Sequence, residues 1–122
     1  MKIETFNHDK YHYINVYNGC DRIGKLGIED RGDNKVHINY VVTNLKYTRK
    51  GVATLMINKA IEMFKEREIS LTVIPMPRDG ENIKHRTVRG LCEFYKKFGF
   101  EKTYDPCVPT MIRKASLPIL EG

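Results

Sequence analysis

The sequence has few cysteines and no long apolar run. Its three cysteines, Cys20, Cys92 and Cys107, stand far apart in 122 residues, a spacing that excludes a disulfide framework or a zinc ribbon. This cysteine usage favours a reducing, cytoplasmic location. No stretch of about 18 apolar residues occurs, so no membrane-spanning helix is expected. The first residues also lack the apolar segment of a secretory signal.

Acidic residues are outnumbered by basic ones. Lys and Arg total 21 against 15 Asp and Glu, a formal net charge of +6. Such a charge favours anionic partners, namely phosphorylated cofactors, nucleic acid or an acidic protein face. The basic residues are spread along the chain, so they form no basic arm. Hydrophobic residues at 41% and charged residues at 30% are typical of a globular protein, which predicts one domain over residues 1–122.

The first third of the chain has the pattern of an antiparallel meander. Residues 11–17 alternate aromatic and β-branched side chains, and Asn18-Gly19 is a strong hairpin-turn signal. Residues 22–28 form the expected returning strand, and Lys35–Thr43 the next one. The apolar side chains expected on one face of this third strand are Val36, Ile38, Tyr40 and Val42.

The rest of the chain alternates helical and strand patterns. Apolar residues at helical spacing predict a helix over residues 50–67, with Thr48 as its N-cap. A short strand over 69–74 follows, and a second helix over 87–98 has Val88 in its apolar stripe and Gly99 as its C′ residue. Residues 100–104 and 110–114 are predicted strands, and 115–122 a tail. The fold class is α/β, with one mixed, mostly antiparallel sheet and two main helices.

The junction between the third strand and the first helix is suited to an anion. The first turn of a helix has unpaired N–H groups and a positive dipole end, which attract phosphate. Gly51 and Ala53 keep large side chains away from this turn, and Arg49 and Lys50 add positive charge. The segment is neither a P-loop nor a dinucleotide-binding fingerprint, because the required glycines are absent.

Two segments resemble motifs of the GNAT superfamily of N-acetyltransferases. The first is the junction itself, which is similar to the acetyl-CoA-binding pattern Arg/Gln-x-x-Gly-x-Gly/Ala when aligned on Gly51 and Ala53. The second is residues 94–100, which resemble the Leu-Tyr-x-x-x-Gly-Phe signature. Thr48 and Val88 depart from the family, which has Arg or Gln and Asn there. The resemblance covers residues 35–114.

The resemblance implies acetyl-CoA as the cofactor and assigns roles to particular residues. Main-chain groups of Val41, Val42 and Thr43 are expected to pair with the pantetheine arm. Tyr95 is expected to protonate the leaving CoA thiolate, as the catalytic acid. The N–H groups expected to hold the pyrophosphate belong to Arg49, Lys50, Gly51, Val52, Ala53 and Thr54.

Only residues 1–10 precede the meander, where family members usually have a strand and two helices. The chain therefore resembles short, truncated members, of which phage-encoded acetyltransferases are one group. The missing helices usually shape the acceptor site. Their absence implies a more open site, suited to a protein acceptor or completed by a partner subunit in a homodimer.

An amine acceptor must lose a proton before it attacks, because a lysine amine has a pKa near 10.4. The third strand holds no Asp or Glu. His37 has a suitable intrinsic pKa but is interpreted as a surface histidine. Glu29, Asp30, Asp79 and Glu81 are loop candidates that the sequence does not separate.

Other reactive residues have ordinary interpretations. His8 and His12 are four residues apart, but their segment is not helical, so no metal site is expected. Cys92 shares the helix face of Tyr95 and is expected to be a small core residue.

The sequence thus predicts an acetyl-CoA-dependent N-acetyltransferase that acts on a primary amine by direct attack. One alternative is a non-catalytic acyl-CoA-binding module, motivated by the departures at Thr48 and Val88. The other is a nucleic-acid-binding domain, motivated by the charge and by seven tyrosines. This last function ranks lowest because no nucleic-acid motif is present.

Overall fold

The computed structural model describes residues 1–47, 51–73, 88–103 and 109–115. This part of the chain contains seven strands, two α-helices and one short 3-10 turn, Leu45–Tyr47. The helices are α1, Val52–Met63, and α2, Val88–Lys96. The strands are β1, Lys2–His8; β2, Tyr11–Asn18; β3, Asp21–Gly32; β4, Lys35–Thr43; β5, Glu68–Thr72; β6, Glu101–Lys102; and β7, Thr110–Arg113.

All seven strands belong to one sheet in the order β1-β2-β3-β4-β5-β7-β6. Only β4 and β5 pair in parallel, and α1 connects them. Every other neighbouring pair is antiparallel. The predicted fold class, a mixed and mostly antiparallel sheet with two main helices, is therefore confirmed.

The sequence pattern missed strand β1. It pairs with β2 along its whole length, from Lys2 opposite Tyr17 to His8 opposite Tyr11. Its side chains are exposed except for Ile3, so the strand lacks the alternation of apolar and polar residues that marks a half-buried strand. The turn between β1 and β2 contains no glycine to signal it. Its left-handed position is occupied by Asp9, with φ 57°.

A bulge in β4 changes which side chains share a face. Gly27 of β3 pairs with Tyr40 and Ile28 pairs with Ile38, so Asn39 is an extra residue in β4. One extra residue moves all later side chains to the opposite face. The prediction that Tyr40 and Val42 share the face of Val36 and Ile38 is therefore wrong.

Helix α1 covers one face of the sheet and forms the core with it. Its first turn packs on Gly24 of β3, where an added Cβ would lie 2.6 Å from Val52 Cγ1 and 3.0 Å from Met56 Cε. Burial of this apolar area is the main stabilising contribution to the fold. The fully buried large side chains are Phe100, Ile14, Ile23, Leu26, Ile28, Met56, Ile57, Ile69, Leu71, Met111, Val16 and Val36.

The helix ends differ from their predicted positions. Gly51, with φ 80°, is the N-cap of α1, so the predicted start at residue 50 and the predicted cap at Thr48 are wrong. A left-handed φ suits glycine, which has no Cβ to clash. Val88 is 39% exposed and so lies outside the buried stripe predicted for α2. Gly99 has φ 92°, the left-handed conformation expected after a helix end.

An ion pair joins the end of β3 to the start of β5. Arg67 donates to both carboxylate oxygens of Asp30, at 2.9 and 2.6 Å. These hydrogen bonds from Arg67, with one from the Gly32 amide, hold the pKa of Asp30 well below its usual range. The paired, ionised carboxylate thus stabilises the fold at neutral pH.

Substituting Gly24→Ala is expected to lower the free energy of unfolding by about 1–3 kcal/mol, because the new methyl group overlaps Val52. Urea denaturation measures this change. The double variant Gly24→Ala/Val52→Ala should lose less than the sum of the two single variants, since Val52→Ala removes the overlapping atom. If the losses of unfolding free energy in the two single variants simply added up in the double variant, Gly24 and Val52 would not be in close contact.

Substituting Asp30→Asn is expected to destabilise the protein at pH 7. The folded pKa of Asp30 is lowered, so its contribution is present above its ordinary pKa of about 3.9 and lost as the pH falls below that value. The difference in unfolding free energy from the original chain should shrink between pH 5 and pH 3 in urea titrations. Asp33→Asn, at an exposed turn residue, is the control and should leave the free energy of unfolding at pH 7 nearly unchanged.

Candidate active site

Strands β4 and β5 separate partway along their length. Their parallel pairing runs from Lys35 opposite Glu68 to Ile38 opposite Leu71. Beyond this point β5 continues beside β7, where the Val73 amide donates to the Pro109 carbonyl at 2.7 Å. Residues 40–43 of β4 instead stay paired with β3. The bulge at Asn39 lies where the strands part, and a gap opens between them.

Main-chain groups of β4 face this gap. The Asn44 amide, just after β4, donates to the carbonyl of Ile23 in β3 at 2.8 Å. Because main-chain groups alternate sides along a strand, those of Val41 and Thr43 point away from β3 and into the gap. By the same alternation Val42 directs its main chain toward β3. Beyond Ile38 no described strand pairs with this side of β4, which therefore resembles a sheet edge.

The first turn of α1 lies beside the open end of the gap. Val52 packs on Gly24, which pairs with Thr43 at the end of β4. The Leu55 amide donates to the Gly51 carbonyl, so the preceding amides of Val52, Ala53 and Thr54 have no partner within the helix. This turn contains no acidic residue, and Gly51 provides no side-chain cap. Arg49 and Lys50, predicted to add charge here, lie outside the described residues.

Tyr95 is part of the hydrophobic core. It lies on α2 and is 9% exposed. Its ring packs edge-to-face on Phe94 and Phe100, with centroid distances of 5.4 and 6.0 Å. These contacts fix the orientation of the ring.

His37 is buried, so its interpretation as a surface histidine is wrong. It is 9% exposed, and its Nδ1 lies 2.7 Å from Ser70 Oγ on β5. The strand register places Tyr11, Glu29, His37 and Ser70 in one row across four strands. Burial lowers the pKa of His37, as does the charge of Arg31, while Glu29 opposes the shift. The imidazole is therefore neutral at pH 7.

The acidic candidates for a base are held by cations. Glu29 accepts a hydrogen bond from Arg31 at 2.9 Å and lies 3.8 Å from Lys10 Nζ. The hydrogen bond from Arg31 lowers the pKa of Glu29. Asp30 is paired with Arg67, whereas Asp79 and Glu81 lie outside the described residues. Glu29 and Asp30 lie in strand β3, so their prediction as loop residues is wrong.

The remaining reactive residues have structural environments. His12 packs edge-to-face on Phe64 at 5.1 Å, and Cys92 is buried while Cys20 is exposed. Within residues 1–47, 51–73, 88–103 and 109–115, no three His, Cys, Asp or Glu side chains are grouped closely enough to hold a metal ion. No helix in this same part of the chain has the length and apolar character needed to cross a membrane.

Comparison with known protein families identifies this architecture. A family model described as the acetyltransferase (GNAT) family matches residues 2–100. The chain belongs to the GNAT family of acetyltransferases. The match begins in β1 and so extends further toward the N-terminus than the two motifs alone. A search of curated proteins finds no match.

Solved GNAT structures share the fold. PaiA N-acetyltransferase from Thermoplasma acidophilum, solved with coenzyme A, superposes with a TM-score of 0.66 at 19% identity, over 86% of this chain and 61% of its own. Arabidopsis thaliana Naa50, in complex with the bisubstrate analogue CoA-Ac-MVNAL, gives 0.62 at 19% identity, over 84% and 72%. A GNAT acetyltransferase from Staphylococcus aureus gives 0.66 at 14% identity, over 88% and 69%. The chain thus spans about three-fifths to three-quarters of these relatives.

Proposed function

We propose that this protein is an acetyl-CoA-dependent N-acetyltransferase that transfers an acetyl group to a primary amine by direct attack. The observation that carries the proposal is the gap between β4 and β5, which opens beside the uncapped first turn of α1. Two GNAT relatives with this fold were solved with coenzyme A or a CoA-containing analogue. Acetyl-CoA supplies an activated thioester.

The gap has the groups that a CoA molecule needs. Val41 and Thr43 offer main-chain donors and acceptors to an amide-containing arm such as pantetheine, which can add to β4 as a strand would. Val42, between them, directs its side chain to the opposite face of the sheet. At the open end, amides of Gly51, Val52, Ala53 and Thr54 face a pyrophosphate without acidic competition. Arg49 and Lys50 precede this turn in the sequence and add positive charge.

Tyr95 is proposed as the acid of the reaction. Its ring is fixed by Phe94 and Phe100, so its hydroxyl group has a defined direction. Departure of the thiolate leaves a negative charge on sulfur, and proton donation from a positioned hydroxyl group stabilises that charge.

His37 is proposed as the base that receives a proton from the acceptor ammonium group. It lies two residues before the bulge, on the face of the sheet that α1 does not occupy. When Nδ1 donates to Ser70 Oγ, Nε2 retains its lone pair. Its lowered pKa keeps it neutral at pH 7. His37 takes one proton from the ammonium group, and the amine nitrogen then attacks the thioester carbon to form a tetrahedral intermediate. As the C–S bond breaks, Tyr95 protonates the departing thiolate, and the second proton of the attacking nitrogen returns through solvent to the tyrosinate.

Calorimetry with acetyl-CoA tests the proposal, and Tyr95→Phe separates binding from chemistry. The variant should retain the affinity for acetyl-CoA while its kcat falls roughly 100-fold, because only proton donation is lost. Thiol release with a panel of primary amines and peptides measures kcat. Tyr17→Phe is the matched control and should keep full turnover. Absence of binding would refute the proposal, and binding without thiol release from any amine would indicate a non-catalytic acyl-CoA-binding module.

His37→Gln should lower kcat/KM roughly 100-fold near pH 7, because the base is lost. In the original chain, kcat/KM should fall as the pH drops through a pKa below the ordinary histidine value of about 6.5, where His37 becomes protonated. This acidic limb should be absent in His37→Gln and present in the control His8→Gln. If kcat/KM of His37→Gln still fell at low pH, the group that accepts the proton would not be His37.

A further inference from the structure

The face of the sheet opposite α1 carries a row of aromatic rings. The strand register places Phe6 opposite Tyr13, Tyr13 opposite Gly27, and Gly27 opposite Tyr40, so one row crosses four strands. Tyr11 and Tyr17 flank Tyr13 on the same face of β2. We call this surface the aromatic face. Its rings are those of Phe6, Tyr11, Tyr13, Tyr17 and Tyr40.

Two rings of this row are in direct contact, and a third packs over Gly27. Phe6 and Tyr13 are stacked, with a centroid distance of 4.8 Å and an interplanar angle of 25°. Gly27 leaves room for the Tyr40 ring, which lies so close that an added Cβ would be 2.6 Å from two ring atoms. Phe6 is 53% exposed, and the four tyrosines are half-buried. An exposed aromatic cluster of this kind marks an interaction surface.

The charges around the aromatic face are predominantly positive. Lys25 Nζ lies 5.5 Å from the centroid of the Tyr40 ring, and Arg22 pairs with Tyr17 in the register. Two acidic side chains near the rings each have a cationic partner. Glu4 pairs with Lys2 at 3.1 Å, and Glu29 pairs with Arg31 at 2.9 Å. Glu4 and Glu29 thus have cationic partners other than Lys25 and Arg22, whose positive charges can attract an external anion.

We infer that the aromatic face binds single-stranded nucleic acid. Unpaired bases stack on exposed aromatic rings, and phosphates contact the lysine and arginine side chains beside them. Nothing in this inference depends on acetyl transfer. The sequence contains no nucleic-acid-binding motif. The rings and cations come together only through the register of four strands.

Other occupants fit this surface less well. Two copies of the chain would bring two positively charged faces together, which is unfavourable. An acidic polypeptide would neutralise Lys25 and Arg22 but offers no planar groups to stack on Phe6, Tyr13 and Tyr40. Duplex nucleic acid presents phosphates with its bases already paired and stacked.

Fluorescence anisotropy with a labelled single-stranded RNA of about 12 nucleotides, within the range of known site sizes, tests the inference. Phe6→Ala should raise Kd roughly tenfold, because stacking on one ring is lost, and a thermal melt should show an intact fold. Lys25→Gln should reduce the slope of log K against log salt by about 0.7, as expected for one lost phosphate contact. Lys65→Gln, at an exposed lysine just beyond α1, changes net charge equally and should leave the slope unaltered.

Three results would overturn the inference. The first is a Phe6→Ala variant that binds the RNA as tightly as the original chain. The second is a Lys65→Gln variant that changes the salt slope as much as Lys25→Gln, which would indicate unspecific attraction to the whole surface. The third is equal or tighter binding of duplex RNA or of polyglutamate, which would assign the face to a different partner.

Discussion

The candidate site depends on one extra residue in a strand. Asn39 bulges from β4 at the point where its pairing with β5 ends. In an uninterrupted parallel pair, the main-chain groups of Val41 and Thr43 would bond to β5 and be unavailable to a ligand. The bulge turns β4 away, so Val41 and Thr43 retain main-chain groups that face the gap. The same extra residue also changes the direction of every later side chain in β4, which places Val41 and Thr43 on the core face and Tyr40 and Val42 on the aromatic face.

Two glycines of β3 allow the neighbouring elements to approach this strand closely. Gly24 admits Val52 and Met56, which brings the first turn of α1 against the end of β4. Gly27 admits the ring of Tyr40 on the other side of the sheet. A side chain at either position would push a helix turn or an aromatic ring away from β4. The position of the helix turn proposed to bind phosphate and the aromatic row on the other face therefore depend on residues that lack a Cβ.

The sequence predicted the elements whose signals are local. Strand Lys35–Thr43 has its predicted bounds, and Gly99 has the left-handed backbone predicted for a glycine after a helix end. What sequence spacing could not predict depends on pairing between distant strands. The exposed strand β1 is defined by its partner β2, the bulge at Asn39 exists only relative to β3, and the burial of His37 results from Ser70 and Glu29 on two other strands. The motif at the start of α1 was recognised because it is contiguous, whereas the row of rings comes from four separate segments.

The gap and the aromatic face meet at Tyr40. This residue is the first one after the bulge to pair with β3, and it is also the last ring of the row that begins at Phe6. The side of the sheet that α1 covers is closed by buried Thr43 and Val52. In the proposed reaction, the acceptor approaches the gap from the side of His37 and Tyr40. If both proposals hold, a molecule bound along the row of rings extends to this same opening and limits which amines reach the thioester. The proposed function therefore predicts that acceptor choice depends on the side chains of this sheet face, Tyr40 first among them.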